Sequence, residues 1–155
     1  MTNLPLLTFW ALLSGMLSSF FIPQSAQGQV IRVLLIDPGN GHPVEGVRVW
    51  LYLGNPALPE TPRLEERTAR DGSANFHLPP PFPDQLFVYG EVEHTVGGCS
   101  PGLFETEHVI RGGGVADVTC DGGKWRAKWR GKLTPQPGEI IVFARKLKWW
   151  RRFQD

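Results

Sequence analysis

The chain of 155 residues is poor in the residue types and spacings that mark metal and cofactor sites, with two cysteines, two tyrosines and four histidines. None of the histidines stands in an H-x-H or H-E-x-x-H arrangement, or at a metal-site spacing from a cysteine, which excludes the common zinc patterns. The glycine-rich segment 111–115 lacks the Walker and Rossmann contexts. No nucleophile–base pair can be identified. The sequence therefore predicts no metal, no cofactor and no enzymatic activity.

Charge is absent from residues 4–22, an apolar run that ends at Pro23. Small residues follow at Ala26 and Gly28, as expected before a signal-peptidase cut. A basic n-region is lacking, so an uncleaved membrane anchor is the alternative interpretation. We predict a signal peptide over 1–28 that is removed ahead of Gln29, and a secreted or periplasmic protein.

Cysteine is limited to Cys99 and Cys120. An even number of cysteines in an exported protein favours a disulfide over free thiols. We predict that Cys99 and Cys120 are bonded. Two unpaired buried thiols are the alternative if the protein is not exported.

Acidic and basic residues are nearly equal in number, 15 and 16, but they are separated along the chain. Residues 29–123 hold six basic and thirteen acidic side chains, whereas residues 124–155 hold ten basic and two acidic. Either the cationic section packs against a more acidic body, or one end of the molecule attracts anions.

A long helical pattern is also missing. Short alternating or continuous apolar runs, separated by Gly and Pro turns, extend from residue 29 to 147. We predict that 103–111 is one of these strands, because it alternates through Phe104, Thr106, His108 and Ile110. About nine such candidates indicate one all-β domain, a sandwich or barrel.

Two stretches carry a recognisable pattern of turn glycines and core positions. The matching residues are Asp37, Gly41, Pro43, Gly46 and Val49, followed by Thr68, Asp71, Gly72, Phe76, Leu78, Pro79 and Val88. This pattern resembles the carboxypeptidase regulatory-like domain, a transthyretin-like β-sandwich, over roughly residues 30–90. The resemblance implies a single antiparallel immunoglobulin-like or transthyretin-like sandwich at 29–147, and it implies fold more firmly than function.

The segment 124–133, KWRAKWRGKL, carries a basic residue at every second position. Its period also fits a helix, but the short length and Gly131 favour a strand. We predict that Trp125, Ala127 and Trp129 face the core. The opposite, exposed face would carry five cations that could bind an anionic surface, namely Lys124, Arg126, Lys128, Arg130 and Lys132.

The tail 148–155 mixes aromatic and basic side chains, a combination that suits a membrane interface. Alternatively, its tryptophans close one end of the sandwich. Nucleic acid is not expected as a partner of an exported protein. The tail adds to the candidate anion-binding residues Lys148, Trp149, Trp150, Arg151 and Arg152.

We interpret the chain as a non-catalytic binding or scaffolding module of the cell envelope, with an envelope protein, a polysaccharide or an anionic membrane surface as its partner. The first alternative is a carbohydrate-binding module, for which an open aromatic surface would be the sign. Its sugar-stacking residues would be Trp50, Tyr52, Trp125 and Trp129.

The second alternative is an uncharacterised hydrolase that uses paired carboxylates, which can perform acid–base chemistry across a cleft. Glu91 with Glu93, and Glu105 with Glu107, would each project together from one strand. A cleft with converging Glu and His side chains would favour this alternative.

Overall fold

Two four-stranded sheets carry the fold in the computed structural model, which describes residues 28–93, 102–117, 128–129 and 131–146. The first sheet has the strand order β4-β1-β9-β8, the second has the order β3-β2-β5-β7, and β10 and β6 form a separate ribbon. The elements are β1 Gln29–Ile36, β2 Arg48–Tyr52, β3 Arg63–Arg67, β4 Ser73–Leu78, β5 Gln85–Gly90, β6 Val92–Glu93, β7 Leu103–Glu105, α1 Thr106–Gly112, β8 Gly114–Asp117, β9 Glu139–Phe143 and β10 Arg145–Lys146.

The two sheets differ in strand direction. The second sheet is antiparallel throughout, as expected. In the first sheet β9 runs parallel to both β1 and β8, so the prediction of a wholly antiparallel sandwich is wrong there. All five residues of β9 are buried. A strand covered on both faces is typical of parallel pairing, because the connections between parallel strands must cross a face of the sheet.

The main core lies between the sheets and follows the period of two that the sequence shows. Inward positions of β1, β2 and β5 are at most 3% exposed. Each such aliphatic side chain contributes about 1.5–3 kcal/mol when it is buried. The alternation predicted for 47–53 is confirmed, and it places the intervening residues of β2 on the outer face. The inward residues of these three strands are Ile31, Val33, Leu35, Val49, Leu51, Leu86 and Val88.

Thr68 ties the loop before β2 to the end of β3. Its buried hydroxyl donates to the Val44 carbonyl (2.7 Å) and accepts from the Val47 amide (2.9 Å). Gly72, in the following turn, has a φ of 77°. A Cβ there would lie 2.6 Å from the Leu35 carbonyl oxygen. Both residues belong to the pattern described above, and both have a structural reason for their identity.

Arg32 joins two acidic residues on the outer face of the first sheet. Its guanidinium lies 3.1 Å from Asp71 and 2.9 Å from the buried Glu139. Asp71 also accepts hydrogen bonds from the hydroxyl and the amide of Ser73. These bonds, with a smaller contribution from Arg32, hold the pKa of Asp71 below its usual value.

The predicted strand over 103–111 is wrong after Glu105, where helix α1 begins. Its buried residues, Thr106 and Val109, are three positions apart, so the helical period decides which side chains face the protein. Glu107 lies in the first turn and Arg111 in the last, as the helix dipole favours, and the two form an ion pair.

The predicted strand at 124–133 is also wrong where the segment is described. Lys128 and Trp129 are helical, and a turn follows at Gly131 and Lys132. The amides of Lys132 and Leu133 both donate to the Trp129 carbonyl. A helical turn brings Trp129 and Leu133 to one side, and the two pack on a small apolar cluster on the outer face of the first sheet. That cluster consists of Ile36, Ile141 and Phe143.

Several predictions fall on residues outside the described ranges. The proposed signal peptide, the Cys99–Cys120 disulfide, Trp125 and the tail 148–155 belong to this group. Within the described ranges, no helix has the length and apolar character needed to cross a membrane.

Candidate functional site

Four aromatic side chains share the outer face of the second sheet. Strand β2 contributes Trp50 and Tyr52, and strand β5 contributes Phe87 and Tyr89. The antiparallel register sets Trp50 opposite Tyr89 and Tyr52 opposite Phe87. These positions alternate with buried core residues on both strands, so the core and this surface are fixed by the same register. We call these four residues the aromatic face.

The rings of the aromatic face form two cross-strand pairs. The Trp50 and Tyr89 centroids are 5.7 Å apart with planes inclined by 35°, and the Tyr52 and Phe87 centroids are 6.1 Å apart in an edge-to-face arrangement. Tyr89 is 39% exposed, and the other three rings are half-buried. Leu103, opposite Phe87 on β7, is 55% exposed and extends the apolar surface toward the sheet edge. The surface is thus open and continuous across three strands.

Charged side chains hold the Trp50 ring in position. The indole N–H donates to Glu65 Oε2 at 2.8 Å, while Arg48 Nε lies 3.2 Å from Glu65 Oε1. Arg48 also lies 3.8 Å from Glu91. The guanidiniums of Arg48 and Arg63 lie 6.0 and 5.9 Å from the Trp50 ring centroid, within cation–π range. The ring is therefore oriented before any ligand arrives.

The structure divides the aromatic residues that the sequence grouped together. Trp50 and Tyr52 lie side by side as predicted, whereas Trp129 covers the other sheet. Phe87 and Tyr89 were missed as site residues. The alternation within 85–90 was visible in the sequence, but the β2–β5 register that brings them beside Trp50 was not.

The Trp129 side chain packs against the rest of the protein. Its indole N–H donates to the Pro38 carbonyl at 3.1 Å, and its ring occupies the space where Gly41 has no side chain. Lys128 Nζ donates to the Gly39 carbonyl at 2.7 Å. The exposed ammonium groups of Lys128 and Lys132 lie 5.2 and 5.4 Å from the Trp129 ring. The indole therefore contributes to folding.

Only Lys128 and Lys132 of the predicted anion-binding residues lie within the described ranges, and contact with an anionic surface stays a prediction for all of them. The others fall outside those ranges, namely Lys124, Arg126, Arg130, Lys148, Trp149, Trp150, Arg151 and Arg152.

A cleft of about 480 Å³ lies between the segment before β5 and the start of α1. Asp84, Glu105 and Glu107 line it together with the buried Thr106. Glu105 and Glu107 do not project from one strand, as the hydrolase alternative required, because the helix begins between them. None of the described histidines, His42, His77 and His108, is among the lining residues. The described part of the chain holds no group of three or more His, Cys, Asp or Glu residues suited to a metal ion.

Comparison of the chain with known proteins finds no matching family model, no matching curated protein and no matching solved structure. Among the described residues, the aromatic face is the feature that points most directly to a function.

Proposed function

We propose that this protein is a non-catalytic binding module of the cell envelope, and that its ligand is a carbohydrate bound on the aromatic face. The observation that carries the proposal is the pairing of Trp50 with Tyr89 and of Tyr52 with Phe87 on an open sheet face. Sugar rings present flat C–H surfaces, and large aromatic rings offer matching apolar area with polar groups at their edges.

The composition of the face supports a binding role. An antiparallel sheet with one solvated face normally shows polar residues there, because only the other face is needed for the core. Here four outward positions on adjacent strands are aromatic, and Leu103 adjoins them. Continuous apolar surface that is exposed and framed by charges is typical of an interaction site.

Rigidity of the face also favours binding. The aromatic residues lie on paired strands, and Glu65 holds the Trp50 indole through a 2.8 Å hydrogen bond. A side chain that is ordered in the free protein loses little conformational entropy when a ligand binds. The hydroxyl groups of Tyr52 and Tyr89 can both donate and accept, as sugar hydroxyls require.

A carbohydrate is favoured over an anionic membrane surface by the position of the one described indole of the basic segment and by the carboxylates beside the aromatic face. Membrane contact through the basic segment would need its indole rings to point outward beside the cations. In the described part of the basic segment, Trp129 is bonded to Pro38 and packed on the first sheet. Among the described residues, the cross-strand ring pairs lie on the second sheet instead, where the cations beside Trp50 are accompanied by the carboxylates of Glu65 and Glu91.

The proposal includes the transthyretin-like, carboxypeptidase regulatory-like identity of the sandwich. Positive φ values at Gly41, Gly46 and Gly72 and the double hydrogen bond of Thr68 support it, since these residues belong to that family pattern. A secreted or periplasmic location and the Cys99–Cys120 disulfide belong to the same proposal, on the sequence evidence alone.

Affinity gel electrophoresis against a panel of soluble polysaccharides tests the function. We expect retardation of the wild type by at least one polymer, and at least about tenfold weaker binding for Trp50→Ala, since aromatic anchors dominate binding energy. Phe82→Ala removes an exposed aromatic side chain away from the sheet face and should bind normally. Circular dichroism establishes that each variant is folded. Equal binding by folded Trp50→Ala and wild type would contradict the proposal.

A further inference from the structure

We infer that the carbohydrate bound on the aromatic face is acidic, and that Arg63 binds its carboxylate. This inference rests on the proposed function and adds the chemical class of the ligand. It comes from the distribution of charge around Trp50, where two guanidinium groups approach one ring but the described residues pair only one of them with a carboxylate.

The two arginines beside Trp50 have different surroundings. Arg48 is paired with Glu65 at 3.2 Å and with Glu91 at 3.8 Å. Arg63 is exposed and forms no ion pair with any carboxylate of the described residues. Its guanidinium carbon lies 5.9 Å from the centroid of the Trp50 ring, within cation–π range. Beside the Trp50 ring there is therefore a guanidinium, that of Arg63, for which the described residues supply no carboxylate.

Glu65, the acidic neighbour of Arg63 on β3, is already occupied. One of its oxygens accepts the Trp50 indole N–H at 2.8 Å, and the other lies 3.2 Å from Arg48. Turning this carboxylate toward Arg63 would break both contacts. A carboxylate for Arg63 is thus more readily supplied by a ligand than by its own strand.

The position of Arg63 suits a ligand that stacks on the rings. Arg63 is the direct cross-strand partner of Tyr52, so it stands at the end of the row that continues through Phe87. A guanidinium near an aromatic ring keeps its in-plane N–H groups for hydrogen bonding. Arginine binds carboxylates through two parallel N–H···O bonds, which gives geometric specificity as well as charge attraction. A uronic acid stacked on this row would meet both requirements.

The test compares acidic polysaccharides with their carboxyl-reduced forms, in which a neutral hydroxymethyl group replaces each carboxylate. Polygalacturonate, alginate and hyaluronan, each with its reduced derivative, serve as probes in affinity electrophoresis at low salt. We expect the wild type to bind at least one acidic polymer roughly tenfold more tightly than the reduced form, a difference of about 1.4 kcal/mol. Arg63→Gln should bind both forms equally, with the affinity that the wild type has for the reduced form.

Arg70→Gln is the matched control, because it removes the same charge from an exposed turn outside the aromatic face and should keep the discrimination. If the wild type does not distinguish the two forms while Trp50→Ala weakens binding to both, the inference is overturned and the proposed function stands. If Arg63→Gln and Arg70→Gln discriminate as well as the wild type, Arg63 is not the carboxylate-binding residue. Failure of the wild type to bind any of these polymers would overturn the inference, and failure to bind any polymer of the wider panel would overturn the proposed function as well.

Discussion

Replacing Thr68 by valine removes a hydroxyl and keeps the shape of the side chain. In the native protein that hydroxyl donates to the Val44 carbonyl and accepts from the Val47 amide, and all three residues are at most 6% exposed. The valine variant leaves one buried donor and one buried acceptor without this partner. Each unsatisfied buried group costs about 1–3 kcal/mol, so for two such groups we expect the free energy of unfolding to fall by about 2–6 kcal/mol.

Thr68→Ser provides the comparison, since serine keeps both hydrogen bonds and loses only a methyl group. Burial of one such group contributes about 1 kcal/mol. Urea unfolding followed by tryptophan fluorescence gives the free energy of unfolding, and an unchanged m-value shows that the variants unfold from equally compact states. The Val47 amide should also exchange faster with solvent in Thr68→Val than in Thr68→Ser. If the valine variant is as stable as the serine variant, the two hydrogen bonds do not hold the loop and the reasoning is wrong.

Gly72→Ala should lower the free energy of unfolding in urea by more than Gly131→Ala does. Both glycines have a φ of 77°. A Cβ at Gly72 would lie 2.6 Å from a backbone oxygen, whereas a Cβ at Gly131 would have no atom within 4 Å. The left-handed conformation alone costs alanine about 1–2 kcal/mol, so equal losses would show that the close contact has no effect. Because the pKa of Asp71 is lowered on folding, this carboxylate stabilises the protein above its unfolded-state value of 3.8 and the contribution disappears as the pH falls through the lower folded-state value. Asp71→Asn should therefore lose stability less steeply than the wild type below pH 3.8 in acid titrations followed by circular dichroism, and superimposable curves would refute this assignment.

Strands in which apolar and polar residues alternate could be predicted from the sequence, whereas the direction of pairing between strands could not. Residues 47–53 show Val49 and Leu51 on one side and Trp50 and Tyr52 on the other, and the structure keeps this division. The sequence does not predict that β9 runs parallel to its neighbours. A continuous apolar run indicates a strand that is buried on both faces of its sheet, but it does not specify whether the neighbouring strands run parallel or antiparallel to it.

The two errors in secondary structure have a common cause. Residues 103–111 and 124–133 fit both a period of two and a helical turn, so the local pattern leaves the choice open. In both places a tertiary contact decides. Val109 of α1 is buried in the main core, and Trp129 covers the apolar cluster around Ile141. Neither contact has a signal within its own segment.

The candidate site was half visible in the sequence. Trp50 and Tyr52 stood out as aromatic residues on the polar side of an alternating strand. Their partners on β5 and the position of Arg63 beside the Trp50 ring depend on which strands pair and in which register. Register is set by the core and the turns of the whole domain, so the other half of the site required coordinates.

The place of β9 between β1 and β8 governs the order in which the chain can assemble during synthesis. Arg32 on β1 and its partner Glu139 on β9 are 107 positions apart in the sequence. The partners of the β1–β4 and β2–β3 pairs are much closer in sequence, so these pairs can form earlier during synthesis. Until residues 139–143 have left the ribosome, one long edge of β1 has no strand to pair with. An open edge of this kind is a template for pairing between chains. A nascent or truncated chain that lacks β9 is thus more exposed to aggregation than a chain in which β9 is paired with β1.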